Sequence, residues 1–258
     1  YEHTLAKYGS ETAMNEIRHY ETYEIKDNLG RQILPPNLIV DEKFKIDGTS
    51  SKFNTTYTLI SQSGNSQLDD KDEFGKRIKI NDKRLKPIWD VCAELNIPIL
   101  IHSGEPQAFW YPKDKFNERW LELKQKPGRY RDPKKNPSFE EVIKEQHEMF
   151  KNNPNTTFIN AHLGWMGNDL DRLSKHLDNN PNVITEIGAV LAELGRQPKR
   201  ARKFFIDYQD RILFGKDSYK VSEYYTYFRV LETDDEYFDY YRKRHGNWKI
   251  YGLDLPDE

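Results

Sequence analysis

The chain has 258 residues, enough for one large α/β domain, since barrels of that class need about 250 residues. Its 40 Lys and Arg against 42 Asp and Glu leave a formal charge of −2, which excludes a global field favouring nucleic acid or anionic lipid. No apolar run approaches the roughly 20 residues of a membrane helix, and the single cysteine, Cys92, excludes an intrachain disulfide and reads as a small core residue.

Residues 1–80 read as an irregular or truncated N-terminal part. They carry weak helical spacing from Leu5 to Ile17, a turn at Pro35-Pro36 and a short apolar patch at Leu38-Ile39-Val40. The β-branched and aromatic content from Thr56 to Ser61 predicts a strand, and the Ser, Asn, Gly and Asp from Ser63 to Asp72 predict a loop.

From residue 81 to 258 the pattern becomes regular. Leu85, Ile88, Trp89, Cys92 and Ala93 fall on one helical face, with Pro87 tolerated in the first turn. A strand follows, Ile97 to Ile101, ending at His102. Ser138-Phe139-Glu140-Glu141 is a capping-box pattern opening a helix through Phe139, Val142, Ile143, Met149 and Phe150, and Asn152-Asn153-Pro154 stops it. The strand Thr157 to Ala161 follows and ends at His162. Leu170, Leu173 and Leu177 mark a further helix, Val183 to Ile187 a strand, Arg200 to Tyr208 a helix, and Ile212 to Asp217 a strand that ends at Asp217. This helix-then-strand rhythm predicts a parallel sheet with right-handed crossovers.

Three of these strands therefore end in residues that metals or protons use: His102, His162 and Asp217. In a βα barrel the C-terminal ends of the strands open into the active site, so two imidazoles and a carboxylate are expected to converge there. Glu105, in the first loop on that side, and Glu186, closing the Val183 strand, are candidates for binding substrate or steadying a ligand. Trp110, Tyr111 and Arg119 lie in a long insertion between Glu105 and Ser138, of the kind that walls a barrel site, and Arg119 is a candidate partner for a substrate carboxylate. His147, His176 and His245 read as surface residues. No glycine-rich phosphate loop and no Gly-x-Ser-x-Gly elbow is present, so dinucleotide, phosphate-cradle and serine-hydrolase chemistry are not indicated.

The segments IPILIHSGEP (Ile97 to Pro106), FNERWL (Phe116 to Leu121), NTTFINAHLG (Asn155 to Gly164), LGRQP (Leu194 to Pro198), DRILFGKDS (Asp210 to Ser218) and LETDDEYF (Leu231 to Phe238) resemble the amidohydrolase superfamily. Within it they resemble the amidohydrolase-related group (amidohydrolase family 2), which also holds metal-dependent decarboxylases of the aminocarboxymuconate-semialdehyde type. The resemblance runs from about Asp82 to Pro256. It implies a (β/α)8 TIM barrel with one divalent metal ion, commonly zinc, at its C-terminal mouth. His102 would be a metal ligand; Asp217 would touch the metal and take a proton from its water; His162 would hold or protonate the substrate oxygen or help orient the water. A neutral imidazole and a carboxylate suit such an ion.

Members of the group normally begin with a strand ending in His-x-His, and no such triplet occurs in this chain. His3 and His19 end no convincing apolar strand. The barrel is therefore expected to be incomplete or diverged at its N-terminus. Lys216, where Thr is usual, is expected to bring a second charge close to the site. The functional expectation is a metal-dependent hydrolase acting on a C–N or C–O bond of a small polar substrate. The alternatives are non-oxidative decarboxylation of a small unsaturated or aromatic acid, and a non-catalytic barrel that binds a ligand or partner. A small-molecule substrate is expected, with no nucleic-acid or membrane partner, and exposed strand edges would favour a homo-oligomer.

Overall fold

The computed structural model describes residues 45–48, 55–58, 74–216 and 220–256. The expectations for Leu5 to Ile17, Leu38 to Val40 and the Ser63 to Asp72 loop lie outside them, as do His3 and His19.

The frame is a six-stranded sheet in sequence order. β1 (Lys45–Gly48) runs antiparallel to β2 (Thr55–Thr58), which overlaps the strand expected at Thr56. β2 is parallel to β3 (Ile99–Ile101), and β4 (Phe158–Asn160), β5 (Val183–Glu186) and β6 (Ile212–Leu213) continue the parallel run. The register sets Ile99 against Phe158 and Ile101 against Asn160. In a parallel sheet all C-terminal ends lie on one side, so the residues after β3, β4, β5 and β6 share a rim. Residues 45–48 and 55–58, from the part read as irregular, thus contribute two strands to this sheet. A separate antiparallel pair, β7 (Phe238–Asp239) and β8 (Lys249–Ile250), lies near the C-terminal end of the described chain.

The crossovers follow the expected spacing. α1 (Lys86–Glu94) carries Pro87 in its first turn and buries Ile88, Trp89 and Cys92, with the Trp89 ring edge-on to Phe158. After the insertion, which includes α2 (Trp120–Gln125), comes α3 (Phe139–Asn152). Ser138 Oγ accepts from the Glu141 N–H at 3.1 Å, the cap that the sequence announces. α4 (Leu170–Asn179) is capped by Asp169 and buries Leu170, Leu173 and Leu177 completely enough that each contributes about 2 kcal/mol. α5 (Leu191–Gly195), α6 (Pro198–Asp207) and α7 (Val221–Glu232) complete the set. Among the described residues no helix is long and apolar enough to cross a membrane.

Three histidines correct the surface reading. His176 is buried and its ring stacks on His147 at 3.7 Å and 14°, joining α4 to α3. It stands one residue before Leu177 and three after Leu173, which turns it inward with them. Burial lowers the His176 pKa to about 3, with His147 adding to the effect, and lowers His147 to about 4. His245 is also only partly exposed, its ring 3.8 Å from Glu122.

Candidate active site at the C-terminal rim

His102 follows β3 directly and His162 stands two residues after β4, and the parallel register brings the two imidazoles together with ring centroids 4.9 Å apart, nearly perpendicular. The chain after β4 does something unusual. His162, Leu163, Gly164 and Trp165 all hold φ between +53° and +58°, a run of left-handed backbone that costs L-residues about 1–2 kcal/mol each. Gly164 is required within it, because a Cβ there would overlap the Asn160 side-chain amide. Backbone held against its preference in this way collects at functional sites. Here it swings Trp165 back over the rim, where the indole Nε1–H donates to His102 Nε2 at 3.3 Å.

Glu186, at the end of β5, fixes His162. Its Oε1 accepts the His162 backbone N–H at 2.5 Å and lies 3.1 Å from His162 Nδ1, while its Oε2 accepts the Gly188 N–H at 2.6 Å. The Gly188 carbonyl lies 2.8 Å from His162 Nδ1. A carbonyl can only accept, so Nδ1 carries the proton and Nε2 is the basic nitrogen. Burial alone would raise the Glu186 carboxyl, but these hydrogen bonds and the imidazole beside it outweigh that and hold it below the usual carboxylate range. His102 is driven the other way: burial, with help from His162, lowers its pKa to about 3, so it is neutral across the physiological range.

Glu105 lies by this pair, where its carboxyl is pushed up by burial against the opposing pull of Arg131, whose Nη2 donates to it at 3.1 Å. Asp217 lies outside the described residues. Gly215, two residues before it, packs directly on Glu186: a Cβ at Gly215 would overlap Oε2 and stand 3.0 Å from the carboxyl carbon. Glu186 is tied by two backbone N–H groups and cannot swing aside. Gly215→Ala is therefore expected to lower stability by about 1–3 kcal/mol in urea unfolding and to displace Glu186 from His162. An unchanged unfolding midpoint would show that the carboxylate is not held.

Other candidates are engaged elsewhere. The Arg119 guanidinium is enclosed, bonded to Glu122 at 2.9 Å and Glu193 at 2.5 Å with the Trp248 ring 5.3 Å away, so it serves the protein's own carboxylates. Trp110 donates its indole N–H to the Pro137 carbonyl at 2.8 Å and packs edge-on to Phe139 under the insertion. Lys216 does not turn its charge on the histidines: its buried Nζ is paired with Glu223 of α7 and lies 5.8 Å from the rings of Tyr224 and Tyr241. Trp165, Gly188, Arg131 and Gly215 were not identifiable as site residues from the sequence. Only Gly164, beside Trp165, hinted at an unusual turn.

The donor set fits a divalent ion in kind, with the imidazoles of His102 and His162 on one rim. It falls short in number, since among the described residues no group of three ligating side chains is close enough to hold a metal ion. His102 Nε2, a nitrogen a metal could use, accepts the Trp165 proton, so a metal there would replace that bond.

The amidohydrolase family matches residues 59–238, well over half of the chain. The chain belongs to the amidohydrolase family. Members of this group are enzymes, hydrolases and decarboxylases, and the fold is of the amidohydrolase (β/α)8 TIM-barrel type, of which the described strands form an unclosed arc. Solved structures similar to this amidohydrolase chain include an uncharacterised TIM-barrel protein from Bordetella bronchiseptica, at 14% identity and TM-score 0.31 over 55% of this chain and 40% of that one. A 2,6-dihydroxybenzoate decarboxylase from Rhizobium matches at 13% identity and TM-score 0.37 over 59% of this chain and 50% of that one. The same enzyme named with its 2,6-dihydroxybenzoate matches with the same score. The chain spans about half the length of these structures or less. No curated protein matches it.

Proposed function

We propose that this rim is the active site of a metal-dependent hydrolase acting on a C–N or C–O bond of a small polar substrate. The observation that carries the reading is the strained left-handed turn that sets His162 against a neutral His102 while Glu186 and Gly188 fix its tautomer. Left-handed backbone of this kind gathers at preorganised sites, and this turn also seats Leu163 and Trp165 in the core.

In this reading His162 moves the proton. With Nδ1–H held by Gly188, Nε2 takes a proton from the attacking water or the substrate and returns it to the leaving group, and Glu186 stabilises the imidazolium at 3.1 Å. His102 and Asp217 are the residues that would hold a divalent ion, most simply zinc. Asp217 follows Gly215 by two residues in the sequence, and Gly215 lies against Glu186. When bound, the ion would acidify water from a pKa of about 15.7 towards about 7. Trp165 and Glu105 with Arg131 would shape the substrate side of the rim.

The test is to load the protein with zinc or manganese and to follow a panel of amides, lactones and unsaturated carboxylic acids. One water consumed per turnover, dependent on metal and lost with chelation, is the expected result. Release of carbon dioxide without water uptake would replace hydrolysis by decarboxylation on the same residues. Absence of both metal binding and turnover would leave a barrel that only binds.

A further inference from the structure

The indole of Trp165 sits where the two histidines meet. Its ring lies 4.7 Å from that of His162, tilted at 41°, and 5.7 Å from that of His102, turned edge-on. Trp165 is buried, so the ring is confined to this place. Backbone preference does not put it there. Trp165 is the fourth residue of the left-handed run and takes φ of +58°, a conformation that a bulky L-residue avoids. Its position therefore depends on what the side chain touches.

One of those contacts is directional. An indole nitrogen only donates, so the Nε1–H that reaches His102 Nε2 at 3.3 Å must meet a lone pair there. His102 is thereby held as the tautomer that carries its proton on Nδ1, with the Nε2 lone pair engaged by the indole. That lone pair is what a divalent ion would take. Zinc stands about 2.0–2.1 Å from an imidazole nitrogen, well inside the 3.3 Å between these two nitrogens, so the ion and the indole N–H exclude each other at Nε2.

We propose that Trp165 is a gate on metal binding: its indole N–H occupies the ligating nitrogen of His102 and moves away when a divalent ion binds. The proposal rests on the reading of His102 as a metal ligand and adds a controlling contact to it. Because the same ring lies against His162, its movement also uncovers that imidazole, so the proton-transfer residue is bared in step with metal loading.

The test uses the full chain with nitrogen-15 on its five tryptophans, and zinc chloride as the probe. Trp165→Phe identifies the Trp165 indole signal by its loss and keeps an aromatic ring beside His162. Zinc is expected to raise the solvent-exchange rate of the native Trp165 indole proton at least tenfold, while that of Trp89, buried against Phe158, stays as it was. By calorimetry the variant, with a melting temperature near the native one, is expected to bind zinc about five times more tightly, the worth of one neutral hydrogen bond. If the variant does not fold, the exchange measurement decides alone, since the Gly164-Trp165 dipeptide occurs once in the chain and assigns the signal. Equal or weaker zinc binding by the folded variant, or an indole proton that exchanges as slowly with zinc as without it, would overturn the gate and leave His102 a ligand. No zinc uptake by either protein would remove His102 as a ligand, and the gate with it.

Discussion

Changing His102 to Ala is expected to lower turnover by about three orders of magnitude and to remove metal binding, while shifting the melting temperature by no more than a few degrees. The two halves of that expectation come from different facts. The imidazole is neutral, pulled down to a pKa of about 3, and shares the rim with His162, so in the proposed reading its loss removes the nitrogen that would hold the metal. Structurally it has little to do: its hydrogen bond is a 3.3 Å contact from Trp165, and the strand before it is anchored by Ile99 and Ile101 in the core. Turnover measured on the substrate that the panel identifies, with metal content by elemental analysis, checks both. Unchanged turnover would remove His102 from the chemistry, and a collapse in stability would make it a structural residue.

The largest effect on stability is expected at Arg119, within the insertion. Its guanidinium is 4% exposed and neutralises Glu193 and Glu122, which are 7% and 2% exposed. Glu122 keeps Arg129 if Arg119 is lost, but Glu193 keeps no salt-bridge partner among the described residues. Arg119→Met should therefore cost about 3–5 kcal/mol, the usual price of stranding a buried charge. The double variant Arg119→Met, Glu193→Gln should recover a large part, because the stranded charge is then gone. Urea unfolding of the single and double variants measures this directly. A loss under about 1 kcal/mol in the single variant would mean that water reaches Glu193.

Much of the frame was legible because local signals agreed with tertiary demand. Apolar runs stopped at His102 and His162, and the helices between them carried regular spacing with a Ser138 cap, so a parallel sheet with both histidines on one rim followed from period and length alone. The strand at Thr56 was readable in the same way. What escaped the sequence was the partnership between distant residues. Glu186 was visible as a strand-ending acid, but its grip on His162, 24 residues away, arises from the left-handed turn, which β and α propensities disfavour. Arg119 looked like a substrate clamp because its partner Glu193 lies 74 residues further on. His176 looked exposed because histidine is polar, whereas its helical phase beside Leu177 buries it against His147. In each case the chemistry of the side chain was clear and its neighbour was not.

The claim beneath all of this is that His102, His162 and Asp217 meet around one reacting centre. Anomalous X-ray diffraction from crystals grown with zinc tests it most directly. One zinc peak contacting both His102 and Asp217, with His162 on the same rim, is the expected result; a peak elsewhere, or none with Asp217 turned away from the histidines, would contradict it.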